Sequence, residues 1–322
     1  MPIRSLLAAV VGVAVAAGTA QAQTYPDKPV RIIVGFAAGG LADQMARYFG
    51  DYITRETKQT VVVENRSGAA GTIGLDAVAK SAPDGYTLGV VISGVLVVNP
   101  FVQKSMPVDP LKDLVPVAAL VDAPQLIAIS TQVPAKTAQE FIALAKAKPK
   151  GFSYGSAGQG SFPHLSAAAF AHAAGLDMVH VPYRGNAPAI TDLMAGRVQM
   201  VSSSIASLRA GIDAGKTRVI VAATKERLPY VKDVPTSAEA GLPDYLMSAW
   251  VGVVAPAGTP KEVVARIHAL AEGMLKDEAT RKRLATSYLD PMLMSQPAFA
   301  AFVKAEHAKW GRIVKQAGVE PR

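Results

Sequence analysis

Two loops of small residues in this chain could hold an anion without any basic side chain. The first is Phe36-Ala37-Ala38-Gly39-Gly40, the second Gly155-Ser156-Ala157-Gly158-Gln159-Gly160-Ser161. Each is followed by a stretch of helical periodicity, so each opens a helix. A helix N-terminus leaves backbone N–H groups unpaired, and the macrodipole adds partial positive charge. Together these make an anion site, and the lack of bulky side chains lets a ligand approach the backbone. Tight turns between strand and helix use glycine anyway, so one loop alone decides little. One in each half points to a cleft that grips an anion from both sides. A third loop, Asn65-Arg66-Ser67-Gly68-Ala69-Ala70-Gly71, reads equally as a flank of that cleft or as a glycine turn with a solvated Arg66. Asp43 lies in the first turn of the first helix, where a carboxylate satisfies free N–H groups; this structural role outweighs ligand contact. His164, beside the second loop, reads first as a structural hydrogen-bonding residue and only then as a general base.

Enzyme signatures are missing. No Gly-x-Ser-x-Gly elbow occurs, and Gly155 to Gly160 runs Gly-x-x-Gly-x-Gly, the reverse of the dinucleotide spacing. Gly211-Ile-Asp-Ala-Gly-Lys-Thr217 is one residue short of a P-loop between its glycines and reads as a helix end and turn. The 5 histidines show no metal-ligand spacing, and there is no cysteine. Neither a metal nor an organic cofactor is expected, and catalysis is not. The competing class is a periplasmic hydrolase or transferase using His164 and Ser161.

The elements that must position these loops follow from hydrophobic patterning. Short apolar, β-branched runs at 30–34, 61–63, 88–92, 126–130, 178–181, 198–202 and 219–223 read as buried strands. Helices are predicted at 41–56, 72–81, 137–148, 164–174 and 188–195, then at 259–276, 278–285 and 297–316. Thr137 with Glu140, and Thr259 with Glu262, have capping-box spacing, with Pro260 at a first helical position. Alternating strands and helices imply an open, mostly parallel α/β sheet. About 300 residues is too much for one core, so two domains are expected. No Pro/Gly/Ser linker separates them, which suggests strands crossing between two lobes.

Residues 1–22 have a basic start, an apolar run and a small-residue end at Ala20-Gln21-Ala22, the pattern of a cleaved secretory signal. The run of about a dozen residues is too short for a bilayer core of roughly 30 Å. Without a cysteine there is no lipid attachment site, so the mature chain is expected to be free in the periplasm, not embedded in a membrane. Net charge is +8, or +7 without Arg4 of the leader. The basic residues are scattered, and aromatics are 6% of the chain. That argues against nucleic acid and for a mild enrichment of anionic ligands.

Six segments together resemble the substrate-binding proteins of tripartite tricarboxylate transporters. They are Tyr25-Pro-Asp-Lys-Pro-Val-Arg-Ile-Ile-Val34, Phe36-Ala-Ala-Gly-Gly-Leu-Ala-Asp43, Pro83-Asp-Gly-Tyr-Thr-Leu88, Gly155-Ser-Ala-Gly-Gln-Gly-Ser161 with His164-Leu165, Val181-Pro-Tyr-Arg-Gly185 with Pro188, and Ala255-Pro-Ala-Gly-Thr-Pro260. They occur in family order across the mature chain. The resemblance implies a type II periplasmic binding protein, two α/β lobes around a hinged cleft: residues 23–123 with 249–322, and residues 124–248. It implies a di- or tricarboxylate ligand, aliphatic or aromatic, and delivery by a monomer to a small and a large membrane subunit. A ligand-presenting role in a sensory system is the other outcome it allows. By the matching positions, the ligand would meet Ala38, Gly39, Gly40, Asp43, Ser156, Ala157, Gly158, Gly160 and Ser161, with His164 adjacent and with Ser93 and Gly94 at the same mouth. Two departures stand out. Gly35-Phe36-Ala37-Ala38 replaces both prolines of the family's Pro-Phe-Pro-Ala first loop, which predicts a less rigid loop. Ser203, within Ser202-Ser203-Ser204, stands where an Asp is common, removing a partner for a ligand ammonium.

Overall fold

The structure, a computed structural model, describes residues 25–36 and 38–321. Residues 1–22, expected to be a secretory signal, lie outside them. In chain order the first lobe begins with β1 (Val30–Val34), α1 (Leu41–Thr57), β2 (Val61–Asn65), α2 (Thr72–Ala79) and β3 (Thr87–Ile92). A helical turn over 94–98 then runs into α3 (Asn99–Val102), followed by β4 (Leu114–Asp122). The second sheet is built from β5 (Leu126–Ser130), β6 (Ser153–Ser156), β7 (Val179–Pro182), β8 (Met200–Ser203) and β9 (Thr217–Ala222). Its helices are α4 (Ala138–Lys146), α5 (Phe162–Ala173), α6 (Asn186–Met194) and α7 (Ile205–Asp213). The chain returns through β10 (Val251–Pro256), α8 (Lys261–Lys276), α9 (Glu278–Thr286), β11 (Asp290–Pro291) and α10 (Gln296–Gln316).

The first sheet has the order β11-β4-β10-β3-β1-β2, the second β7-β6-β8-β5-β9. Neither is mostly parallel, as the sequence had suggested. β10 runs antiparallel to β3 and β4, and β5 antiparallel to β8 and β9. The cause is the chain's route. β5 and β10 each receive the chain from the other lobe, so they start at the edge where β1, β3 and β8 end.

Local patterning explains the layers. α1 buries Ala42, Met45, Ala46, Phe49 and Ile53, one stripe at helical spacing, and α8 likewise buries Val264, Ile267, Ala271 and Met274. Both pack into one core with Val30, Ile32, Val34, Leu88 and Val90, while α2 and α10 cover the sheet's other face. α4 starts on the expected cap, with Thr137 Oγ1 accepting from Glu140 N at 3.2 Å. α8 does not. Thr259 turns its hydroxyl back to Pro256 O at 2.8 Å, and Pro260 itself takes the N-cap position without a side-chain cap. Proline's fixed φ suits that boundary, and the hydroxyl then satisfies the preceding turn.

Two segments cross between the lobes side by side. Gln125 N donates to Met247 O at 2.9 Å, and Ala249 N to Ala123 O at 3.1 Å. α10 belongs to the first lobe but reaches the second, where Trp310 meets Phe162 with ring centroids 4.8 Å apart.

Candidate functional site

The first loop is pinned from below by one carboxylate. Asp43, 3% exposed, accepts from Gly39 N at 2.9 Å, from Arg47 Nε and Nη2 at 2.9 and 3.0 Å, and from Asn65 Nδ2 at 3.0 Å. Asn65 Nδ2 also donates to Phe36 O at 2.9 Å. The Arg47 hydrogen bond, overcoming burial, holds the Asp43 carboxyl down at about 2. Asp43 is therefore charged, but its oxygens serve its own loop and helix. Gly39 has φ +88°, which a side chain would strain. Gly40 is the N-cap of α1 at φ −79° and ψ 172°, and offers no side-chain cap. The first-turn N–H groups at Leu41 and Ala42 are accordingly left to solvent or to a ligand.

The second loop is organised by histidines. Ser156 Oγ accepts from Gly158 N at 3.1 Å and lies 2.7 Å from His180 Nε2. Gly160 N donates to His164 Nδ1 at 3.0 Å, so His164 presents that nitrogen unprotonated. Ser161 caps α5, accepting from His164 N, while its own hydroxyl donates to Gly158 O at 2.6 Å. The two imidazoles stack, with centroids 3.8 Å apart, and Tyr154 stacks beyond His180 at 5.1 Å. Burial, then the neighbouring His180, pushes His164 down to about 4, and burial also lowers His180. Both rings are neutral at pH 7. The side chains thus spend their polarity on the loop, and the N–H groups of Ala157, Gln159 and Phe162 remain for a ligand.

Between the lobes lies a cavity of about 530 Å³. Phe36, Ile92, Gly94, Val98 and Val102 wall it from one lobe, Ala157 and Gln159 to Pro163 from the other. Of the residues singled out from sequence, Gly94, Ala157, Gly160 and Ser161 line this space. Gly158 is in the same loop, whereas Ser156 and His164 sit buried behind it. Ala38, Gly39 and Gly40 lie exposed, a few residues along from Phe36 and outside the lining. Ser93 is buried, with its hydroxyl unpartnered, and Ser203 is fully buried, accepting from Asn186 Nδ2 at 2.9 Å. Neither lines the cavity. Sequence reasoning missed His180, which reaches the second loop from a distance in sequence, and Arg47, one helical turn from Asp43; it placed Asn65 only in the third loop and not as a support of the first. It also missed Phe162 beside Ser161, where an aromatic between a cap and a proline was a readable signal.

Nucleophilic chemistry does not follow from these contacts. The Ser161 hydroxyl donates to a carbonyl, and His164 Nδ1 is taken by Gly160 N–H. The Ser–His pair that does form, Ser156 with His180, places its oxygen on a residue 1% exposed.

A family model described as tripartite tricarboxylate transporter family receptor matches residues 45–319. Protein BugT of Bordetella pertussis is 32% identical over 319 residues, covering 98% of each chain. Among solved structures, that of R. palustris Rpa4515 with adipate has a TM-score of 0.78 at 32% identity, covering 92% of this chain and 100% of the other. MatC from Rhodopseudomonas palustris with bound malate has a TM-score of 0.74 at 32% identity, covering 90% and 100%. The two lobes are thus those of a periplasmic binding protein, and the matched family is one of receptors, not enzymes. On the family match over residues 45–319 and the full-length relative, the chain belongs to the tripartite tricarboxylate transporter receptor family.

Proposed function

We propose that the protein captures a small organic carboxylate in the periplasm and hands it, unchanged, to the membrane subunits of a tripartite transporter. One observation carries the reading: a cavity bordered by the second loop is walled by both lobes, and that loop meets it with main-chain donors rather than with a nucleophile or base. Residues 23–123 with 249–322 and residues 124–248 would close on the ligand as a monomer, cleaved from its leader and free of a lipid anchor. The strands of the two sheets divide in the same way. Ala38 to Gly40 and Ala157 to Ser161 would hold the acid groups through backbone N–H, with Asp43, Ser156 and His164 shaping the loops. Relatives with adipate and with malate support a carboxylate.

Calorimetric titration with a panel of carboxylic acids tests this. At least one acid should bind and stabilise the folded protein, and nuclear magnetic resonance should recover it unaltered. Failure of every acid, or turnover of one, would refute the reading.

A further inference from the structure

The cavity wall contributed by the first lobe is hydrocarbon. Phe36, Ile92, Val95, Val98 and Val102 form it, and Phe162 and Pro163 continue it from the second lobe. Two amides interrupt the wall, but their hydrogens are largely spent. Asn99 Nδ2 donates to Ala70 O at 3.0 Å and to Thr72 Oγ1 at 3.2 Å. Gln103 Nε2 donates to Ala69 O at 3.1 Å, and its Oε1 accepts from Thr72 at 3.1 Å. These bonds tie the wall to the 69–72 turn instead of offering it to a ligand. Among the described residues, Glu320 is the one charged side chain in the lining. Polar capacity for an acid group is concentrated on the second loop, in its main-chain N–H groups and in Gln159 and Ser161, rather than on the first lobe's wall.

We infer that the receptor selects carboxylates with a plain hydrocarbon body, ring or chain, over acids carrying hydroxyl groups on that body. This rests on the proposed carboxylate function and narrows it. A volume of about 530 Å³ is ample for a six-carbon chain or a benzene ring with two acid groups, being within the usual range for small-molecule sites. Against valine and phenylalanine side chains a ligand methylene gains by leaving water. A ligand hydroxyl placed there loses its water partners and finds none in return. Each unpartnered hydroxyl should cost roughly 10-fold in affinity or more.

The experiment is calorimetric titration of the mature protein with succinate, malate and tartrate, which share a backbone and carry zero, one and two hydroxyls. Adipate and benzene-1,4-dicarboxylate serve as the chain and ring arms. Affinity should fall roughly 10-fold per hydroxyl across the first three, and adipate or the ring diacid should exceed succinate. Malate or tartrate equalling or beating succinate overturns the inference while leaving the carboxylate receptor intact. Binding by no acid at all overturns the receptor reading, and this inference with it. Val102→Thr, which keeps volume and adds a hydroxyl to the wall, should shrink the succinate-to-malate ratio at least threefold. An unchanged ratio in a folded variant would deny that this wall is the source of the preference.

Discussion

A carboxylate side chain placed at Gly40 should raise stability and abolish ligand binding, two effects of opposite sign. Gly40 caps α1 at φ −79° and ψ 172°, a conformation open to any residue, so Gly40→Asp introduces no backbone strain. Elsewhere the chain caps helices with Thr137, Ser161, Asp277 and Ser295, whereas α1 has no side-chain cap. An aspartate there would accept a first-turn N–H and face the positive end of the dipole, worth about 0.5–1 kcal/mol. The melting temperature should rise by on the order of 1–3 °C. A ligand carboxylate seeking the same N–H groups then meets a like charge. At about 4 Å and an effective dielectric near 20, the repulsion is roughly 4 kcal/mol, or about 1000-fold in affinity. Arg47 cannot relieve it, being already committed to Asp43. Gly40→Asn separates charge from occupancy: it caps equally but should lose only a charge-assisted hydrogen bond, roughly 10- to 150-fold. Thermal melts and calorimetric titration read the two effects independently. If Gly40→Asp melted higher yet bound its acid within threefold of the parent, the first loop would not be an anion site.

Three further outcomes follow from the same geometry. Asp122 faces Asp290 across β4 and β11, and burial first, then Asp290, raises it to about 6. A raised carboxyl favours the fold below its unfolded value near 4 and loses that benefit as pH climbs through about 6. Asp122→Asn should therefore gain up to about 3 kcal/mol of stability at pH 8 and nothing at pH 4, and equal gains at both would discount the pair. His164, lowered to about 4, has the reverse sign: stability present above about 6.5 drains as pH falls toward about 4. His164→Asn, which can keep an acceptor for Gly160 N, should melt progressively higher than the parent over that fall, and a flat difference would discard the reasoning. Ligand binding should shrink the radius of gyration in small-angle scattering; an unchanged radius would indicate a cleft that does not close.

Much of this architecture is legible because its determinants are local. Val30–Val34 is a short β-branched run broken only by Arg31 and ending at Gly35, and α1 carries its stripe within one segment. β4 escaped because Pro116 interrupts it. The proline falls at a register irregularity against β10, where two-residue β11 leaves the strand's other side as an edge, and both settings tolerate a missing N–H. β10 reads poorly because Gly252 breaks the run, and its place is set by packing: a Cβ there would meet Phe299 and Ala118 O. The anion loops could be read as small residues before a helix. Their supports could not, since His180 reaches Ser156 only after β6 and β7 pair, and Asn65 reaches Phe36 only after β1 and β2 do. Hydrogen bonds across 24 or 29 residues leave no periodicity behind.

The contact between Trp310 and Phe162 makes the protein its own optical gauge. The indole sits on α10 of one lobe, with Nε1 bound to Glu306 at 3.2 Å, and it touches the first residue of α5, directly beyond the second loop. Any shift of that loop on ligand capture alters the ring packed against the indole and so its emission. The other tryptophan, Trp250, lies in the sheet core between Phe299 and Phe302, and Trp250→Phe would leave a single emitter. Rapid mixing with ligand could then time the arrival of an acid at the loop without any attached dye.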